Sequence, residues 1–271
     1  MENYIEKKKY KIIFSDIDGT LLNSKHQISK KTREKIQKLE KEGIPFIFVS
    51  ARMPRGIKGF QKELASKNPI ISYSGALILD GEGEVIYSAP LESEEARKIA
   101  NRSREIYPTV SINPYSNDCW MTENKEEYWV AYESKVTGII PKLVSLEEEA
   151  VWREVHKILC MGEASKIASL EQQLKKEFPN VQISKSKDTY LEILAKDVSK
   201  SKAADILVKY YGIEREESIA FGDSDNDIDM LEYAGLGVAM GNSYDGVKEH
   251  ADYVTDTNVE EGVWEVLEFL F

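Results

Sequence analysis

A run of apolar residues, Ile12-Ile13-Phe14, passes through Ser15 and stops at Asp16-Ile17-Asp18-Gly19-Thr20, two carboxylates one residue apart followed by a glycine. In a β-strand residues i and i+2 point to the same face. A strand ending here therefore aims both acids at one small volume, and Gly19 lets the chain turn away and leave that volume open. Like charges so close call for a cation or a reaction. A second acidic cluster, Gly222-Asp223-Ser224-Asp225-Asn226-Asp227, also follows an apolar run, Ser218-Ile219-Ala220-Phe221. One acidic turn after a strand is commonplace, because Asp and Gly favour turns. Two such clusters suit a hard, oxygen-preferring metal held between them. An EF-hand is excluded: with Asp223, Asp225, Asp227 and Asp229 as alternating acids, Ile228 and Ala234 fall where that loop needs Gly and Glu.

At 271 residues the chain exceeds one average domain. The first stretch alternates strand and helix. Ser29 caps a helix that Gly43 ends, Ile44 to Val49 reads as a second strand, and a helix after Pro54 leads to a third strand at Pro69 to Tyr73. Asp80-Gly81-Glu82-Gly83 joins Leu77-Leu79 to Val85-Tyr87 as a hairpin. Apolar runs without polar alternation predict a parallel sheet buried on both faces. From about residue 89 the strands become shorter and half-polar, as at Thr109 to Ile112 and Cys119 to Met121, which predicts antiparallel pairing within an α+β block. The βα rhythm returns later with a helix near Ser201 to Tyr211 and strands at 218–222 and 236–240. The expected organisation is an α/β core of residues 1–88 and 188–271, interrupted by an inserted α+β domain of residues 89–187.

A net charge of -11 disfavours a nucleic-acid surface, which needs Lys and Arg to meet phosphates. Nor does any apolar stretch reach the length of a membrane span. Met1 to Lys9 carries charge without a signal core, so a cytoplasmic protein is expected. Cys119 and Cys160 are too few for a disulfide framework and read as small buried hydrophobes. His26, His156 and His250 are scattered, which disfavours a Ser-His-Asp or Cys-His nucleophile. Covalent chemistry would then fall to a carboxylate.

Ligands of an open parallel sheet bind beyond the carboxyl ends of its strands. Asp16/Asp18, Ser50, the Ser74-Gly75 turn and Asp223 all occupy such ends. Ser50 as a helix N-cap would present N–H groups to an anion. Lys200 stands where a helix begins, unfavourably for the helix dipole, which hints at an anionic partner. A carboxylate nucleophile, a second acid, an oxygen-bound metal and an anion site lined by N–H groups and a lysine together describe phosphoryl transfer through an aspartyl-phosphate.

The Ser15-Asp16-Ile17-Asp18-Gly19-Thr20-Leu21-Leu22 stretch resembles the first motif of the haloacid dehalogenase (HAD) superfamily. Val49-Ser50-Ala51-Arg52 resembles its second motif, Val198-Ser199-Lys200 its third, and Gly222 to Asp227 its fourth. Tyr190-Leu191-Glu192-Ile193, Val238-Ala239-Met240-Gly241-Asn242, Val247-Lys248 and Ala251-Asp252 extend the likeness to the Cof-type phosphatases of subfamily IIB. The resemblance implies a HAD-like Rossmannoid parallel sheet with an inserted α+β cap that closes over the site and sets specificity. It implies Asp16 as nucleophile and Asp18 as general acid and then base. Mg²⁺ would be held by Asp16, the Asp18 main-chain carbonyl and Asp223, with Asp227 behind them. Phosphate would be bound at Ile17, Ser50, Ala51 and Lys200, with Asn226 assisting. The implied activity is Mg²⁺-dependent hydrolysis of a small phosphorylated metabolite such as a sugar phosphate. A phosphomutase or a non-catalytic phospho-ligand-binding module are the alternatives. One departure is that the family often has Asn-Gly-Ala after the third strand, where this chain has Ser74-Gly75-Ala76. In the insertion, Tyr115, Trp120, Tyr128 and Trp129 are expected on half-buried strands, where packing is their commoner use.

Overall fold

The apolar runs form strands, and the computed structural model describes residues 10–271, so the reading of Met1 to Lys9 lies outside the described residues. The chain begins with β1 (Ile12–Asp16), α1 (Lys30–Lys41), β2 (Phe46–Val49), α2 (Pro54–Leu64), β3 (Ile70–Ser72), β4 (Leu77–Leu79) and β5 (Val85–Ser88). Next come α3 (Ser93–Ile106), β6 (Ser111–Ser116), β7 (Cys119–Thr122), α4 (Tyr128–Thr137), β8 (Lys142–Leu143), β9 (Val155–Met161), α5 (Ala164–Glu177), β10 (Val181–Lys187) and β11 (Tyr190–Ala195). Then follow α6 (Lys200–Tyr211), β12 (Ser218–Gly222), α7 (Ile228–Tyr233), β13 (Leu236–Ala239), α8 (Asp245–Lys248), β14 (Tyr253–Val254) and α9 (Gly262–Leu270). The residues divide into two compact units, one formed by the chain up to Ala51, Ile57–Ile86 and Ser199–Phe271, the other by Arg52–Gly56 and Tyr87–Val198.

The first unit is built on a sheet of order β14-β13-β12-β1-β2-β3-β4-β5, parallel from β14 to β3 and antiparallel between β3 and β4. Every residue of β1, β2, β12 and β13 is buried, as the unbroken apolar runs require of a sheet covered on both faces. At about 1.5–3 kcal/mol per fully buried aliphatic or aromatic side chain, these strands contribute strongly to the stability of the unit and leave their ends for polar residues. The register then decides the neighbours: Asp16 lies opposite Val49, and Ser15 opposite Phe221. The carboxyl ends of β2, β1 and β12 are therefore level, and the loops that follow them start side by side.

The second unit has a sheet of order β10-β11-β9-β6-β7-β8, antiparallel as expected except for the short β7–β8 pair. Ile99, Ile158, Cys160, Leu170 and Ile193 belong to its apolar core. Both cysteines are free, and burial pushes the Cys160 thiol up to about 12, which suits the small hydrophobe expected there. Cys119 is only half-buried.

Two readings of this unit change. Its far boundary falls between Val198 and Ser199 rather than at 188, because β11 pairs with both β10 and β9 and so belongs to the second sheet. Arg52–Gly56 also groups here: the N–H of Arg55, at the start of α2, donates at 2.6 Å to Oδ1 of Asp118, an acid in the turn between β6 and β7. Secondly, Tyr128 and Trp129 stand on helix α4 rather than a strand. Glu127 caps it by accepting the Val130 N–H at 3.2 Å, and Gly138, with φ of +70°, ends it.

His156 is fully buried in β9. Its Nδ1 accepts the Asn117 N–H at 3.2 Å, so its Nε2 carries the proton towards Ser88 Oγ, 3.0 Å away. Burial pushes this imidazole down to about 4, outweighing the nearby Glu154 charge, and a second ring proton would break the Asn117 bond. With the folded value depressed, the unfolded chain takes up the proton first. Stability is full above the unfolded value near 6.5 and falls as pH drops from there to about 4. Relative to a His156→Gln variant, the wild type should lose about 2 kcal/mol between pH 7.5 and pH 5, read from urea unfolding at each pH. Parallel pH profiles for the two proteins would remove His156 as the cause.

Candidate active site

β1 ends at Asp16, a residue only 6% exposed. Lys200, the first residue of α6, is also buried, and its Nζ donates to Asp16 Oδ1 at 2.6 Å and to Asp227 Oδ1 at 2.5 Å. Ser199 caps α6 by accepting the Lys202 N–H at 3.0 Å, while Asp229 Oδ2 accepts the Ser201 N–H at 2.9 Å. The residues on both sides of Lys200 are thereby tied down. The other oxygen of Asp227 gathers the second acidic loop, accepting from the Asp223 N–H, the Ser224 N–H and Ser224 Oγ at 3.0–3.1 Å. Thr20 Oγ1 donates to Asp223 Oδ1 at 2.8 Å, which joins the two acidic loops directly.

Two glycines permit this closeness. A Cβ on Gly19, where φ is +85°, would stand 2.3 Å from Asp223 Oδ2. Gly75, with φ of +109°, lets its turn lie against the α6 cap, where a Cβ would come 2.2 Å from Ser199 O. Tyr73 and Ser74 precede it with φ of 52° and 53°, so three consecutive residues hold the left-handed region. Non-glycine residues pay for that conformation with strain, which places this turn among the few over-determined segments of the chain.

Asp16, Asp223 and Asp227 can each offer an oxygen, all within 4.8 Å of one another. Burial raises the Asp16 carboxyl well above its usual range; Lys200 opposes this, and Asp227 and Asp223 add to it. Burial likewise pushes Asp223 up to about 6. For Lys200, burial works downward, but Asp16 and Asp227 outweigh it and hold the ammonium charged. Three carboxylates around one lysine leave an excess of negative charge, and a donor set made only of oxygens fits a hard divalent cation.

The strand rule that put both acids of the first motif on one face does not reach Asp18. β1 ends at Asp16, and Asp18, although its own backbone is still extended (φ -85°, ψ 118°), lies beyond the strand and is exposed while Asp16 is buried. Asp18 still acts on Asp223 through its charge. Ser50 is buried but caps no helix, since α2 begins at Pro54, and its N–H donates to Ile71 O at 3.0 Å. Ser74 is joined to it, donating its N–H to Ser50 O at 2.9 Å. Ile17 is buried and Ala51 half-buried beside these groups in the chain. Asn226 is exposed and accepts from Ser224 Oγ at 2.8 Å. Thr20, Ser199 and Asp229 join the site beyond the residues expected from the sequence; Thr20 follows the acidic pair directly and Asp229 continues the second cluster's alternation, which is the signal the sequence carries for them.

The sequence model of the haloacid dehalogenase-like hydrolases matches residues 13–267. A Haemophilus influenzae protein named "Putative phosphatase" is 42% identical over 262 residues, covering 97% of this chain and 98% of its own. The crystal structure of a haloacid dehalogenase-like hydrolase from Bacteroides thetaiotaomicron superposes with a TM-score of 0.88 at 33% identity, over 97% of this chain and all of that one (100%). The HAD subclass IIB sugar phosphatase BT4131 gives a TM-score of 0.80 at 28% identity, over 96% and 98% of the two chains. The chain belongs to the haloacid dehalogenase-like hydrolases. Within that family it is a phosphoric monoester hydrolase of the Cof-type, subclass IIB group.

Lys200→Met should show what the bridge contributes. The variant leaves two buried carboxylates without their cation and should lose about 3–5 kcal/mol of unfolding free energy, measured in urea without divalent metal. An unchanged midpoint would mean that Lys200 does not neutralise Asp16 and Asp227 in the folded protein.

Proposed function

We propose that the protein hydrolyses a small phosphorylated metabolite, with sugar phosphates as the favoured class, through a phosphoryl group carried on Asp16 and with Mg²⁺ as cofactor. The observation that carries this reading is the buried Asp16 carboxylate at the end of β1, tethered by Lys200 and faced by Asp223. Asp16, the Asp18 main-chain carbonyl and Asp223 are the proposed holders of the ion, with Asp227 orienting Lys200 and the Asp223 loop behind them. When bound, Mg²⁺ would offset the repulsion between these carboxylates and an incoming phosphate.

An oxygen of Asp16 attacks phosphorus, and the bond from phosphorus to the ester oxygen breaks. Asp18, exposed and outside the buried cluster, gives its proton to the departing alkoxide. Water then attacks the phosphorus of the aspartyl-phosphate while Asp18 takes up the water's proton, and inorganic phosphate and Asp16 are released. Lys200, the Ser50 hydroxyl and backbone donors at Ile17 and Ala51 bind the phosphate oxygens, assisted by Asn226. The sugar-phosphate class is supported by the likeness to the subclass IIB sugar phosphatase. The second unit is the segment we assign to substrate choice. Free Cys119 and Cys160 suit a cytoplasmic setting.

Asp16→Asn should keep the fold and lose on the order of several powers of ten in kcat, since an amide is too weak a nucleophile for the first step. The assay is release of phosphate from an aryl phosphate and a panel of sugar phosphates, with deamidation checked by mass spectrometry. A variant retaining more than about one per cent of wild-type turnover would falsify the nucleophile assignment.

Metal dependence is a separate test. Chelator should stop turnover and Mg²⁺ restore it, while Ca²⁺, which takes more ligands at longer distance, should restore it poorly. Full activity in chelator would refute the metal part of the reading while leaving the nucleophile test untouched.

A further inference from the structure

The segment Val238 to Asn242 belongs to the family likeness but has no part in the chemistry above. Its last residue reaches back to the turn that follows the nucleophile. Asn242 Nδ2 donates to Gly19 O at 2.8 Å. Asn242 Oδ1 accepts the N–H of Asn258 at 2.9 Å, and Asn258 Nδ2 donates to Leu22 O at 2.6 Å. The two amides thus form a relay whose ends grip the turn three residues apart in sequence. Between those anchor points, Thr20 holds Asp223, and Asp18 directly precedes the first of them.

The relay adds to two bonds the turn already makes, from the Leu22 N–H to Ile17 O at 3.0 Å and from Thr20 Oγ1 to Asp223 Oδ1 at 2.8 Å. Gly19 adopts a φ of +85°, which an unconstrained glycine leaves readily, and Asp18 is exposed and lies beyond the end of β1. An acid that must reach a leaving oxygen in one step and a water in the next needs a backbone that stays in place. We infer that Asn242 and Asn258 are positioning residues that clamp residues 19–22 and so hold the Asp18 carboxylate in register for proton transfer. Neither amide touches the reacting atoms in this role. The inference rests on the proposed use of Asp18 as acid and base.

Proton donation matters most when the leaving group is a poor one, and this makes the clamp separable from general stability. The first step should be measured under single-turnover conditions, in Mg²⁺, for an alkyl phosphate and for a nitrophenyl phosphate, whose leaving oxygen departs without protonation. Asn242→Ala and Asn258→Ala should each slow the alkyl ester by about tenfold or more and the aryl ester by less than about twofold. The double variant should be scarcely slower than either single one, because both belong to one relay. Asn258→Asp, which keeps size but lacks the donor to Leu22 O, should behave as Asn258→Ala does. Equal slowing of both esters, or no slowing of either in a folded variant, overturns the clamp. Asp18→Asn serves as the control: if it lacks the alkyl-selective loss, the assignment of Asp18 itself fails. If Asp18→Asn shows that loss and the asparagine variants do not, the clamp alone is wrong.

Discussion

Everything in the site depends on one ammonium group being buried between two carboxylates. Removing Lys200 from water costs several kcal/mol, and that cost is met only while Asp16 and Asp227 stay within hydrogen-bond range. Their positions are consequently not free. Asp16 is set by its strand register, Asp227 by three donors of its own loop, and Lys200 by the Ser199 cap and the Asp229 carboxylate. The bridge is also unbalanced. With Asp223 added, three acids face one base, and burial raises Asp16 and Asp223 together. An arrangement that folds with an unsatisfied demand for positive charge is prepared for a cation and for a transition state in which charge is redistributed.

The division between the buried and the exposed acid of the first motif follows from where the strand ends. Asp16 is the last residue of β1 and is buried; Asp18 lies beyond the strand and faces solvent. The roles we propose follow this division, since a nucleophile profits from being held and desolvated, whereas a group that gives and takes protons needs contact with water and leaving group. Glycine makes the transition possible: at Gly19 the Asp223 carboxylate lies where a side chain would begin, so the two acidic loops can close on each other.

In the second unit the sequence was less informative, for identifiable reasons. The run Tyr128-Trp129-Val130-Ala131-Tyr132 is rich in residues that favour strands, yet it forms α4, because Glu127 and Gly138 satisfy the two ends and Val130 packs inward. Its intrinsic preference is overridden by caps and burial. The unit's far edge lies at Val198, eleven residues beyond the expected 187, since the polar stretch around Asp188 is only a hairpin turn between β10 and β11. A turn within a sheet and a boundary between units look alike in one dimension.

The local chemistry of the sequence determined the α/β core, the inserted α+β block, the two acidic clusters and the lysine that serves them. Strand periodicity, turn residues and ordered motifs act over a few residues, and they are legible there. Three things were decided only by tertiary structure: which acid is buried, which backbone donors are already taken, and which distant side chains bond to the turn after β1. Ser50 illustrates the second, its N–H being committed to Ile71 in the neighbouring strand. Asn242 and Asn258 illustrate the third, since nothing in their own neighbourhoods points to Gly19 or Leu22. These depend on register and on glycine-permitted close approach between segments far apart in the chain, where the energy belongs to the pair and neither residue carries its partner's address.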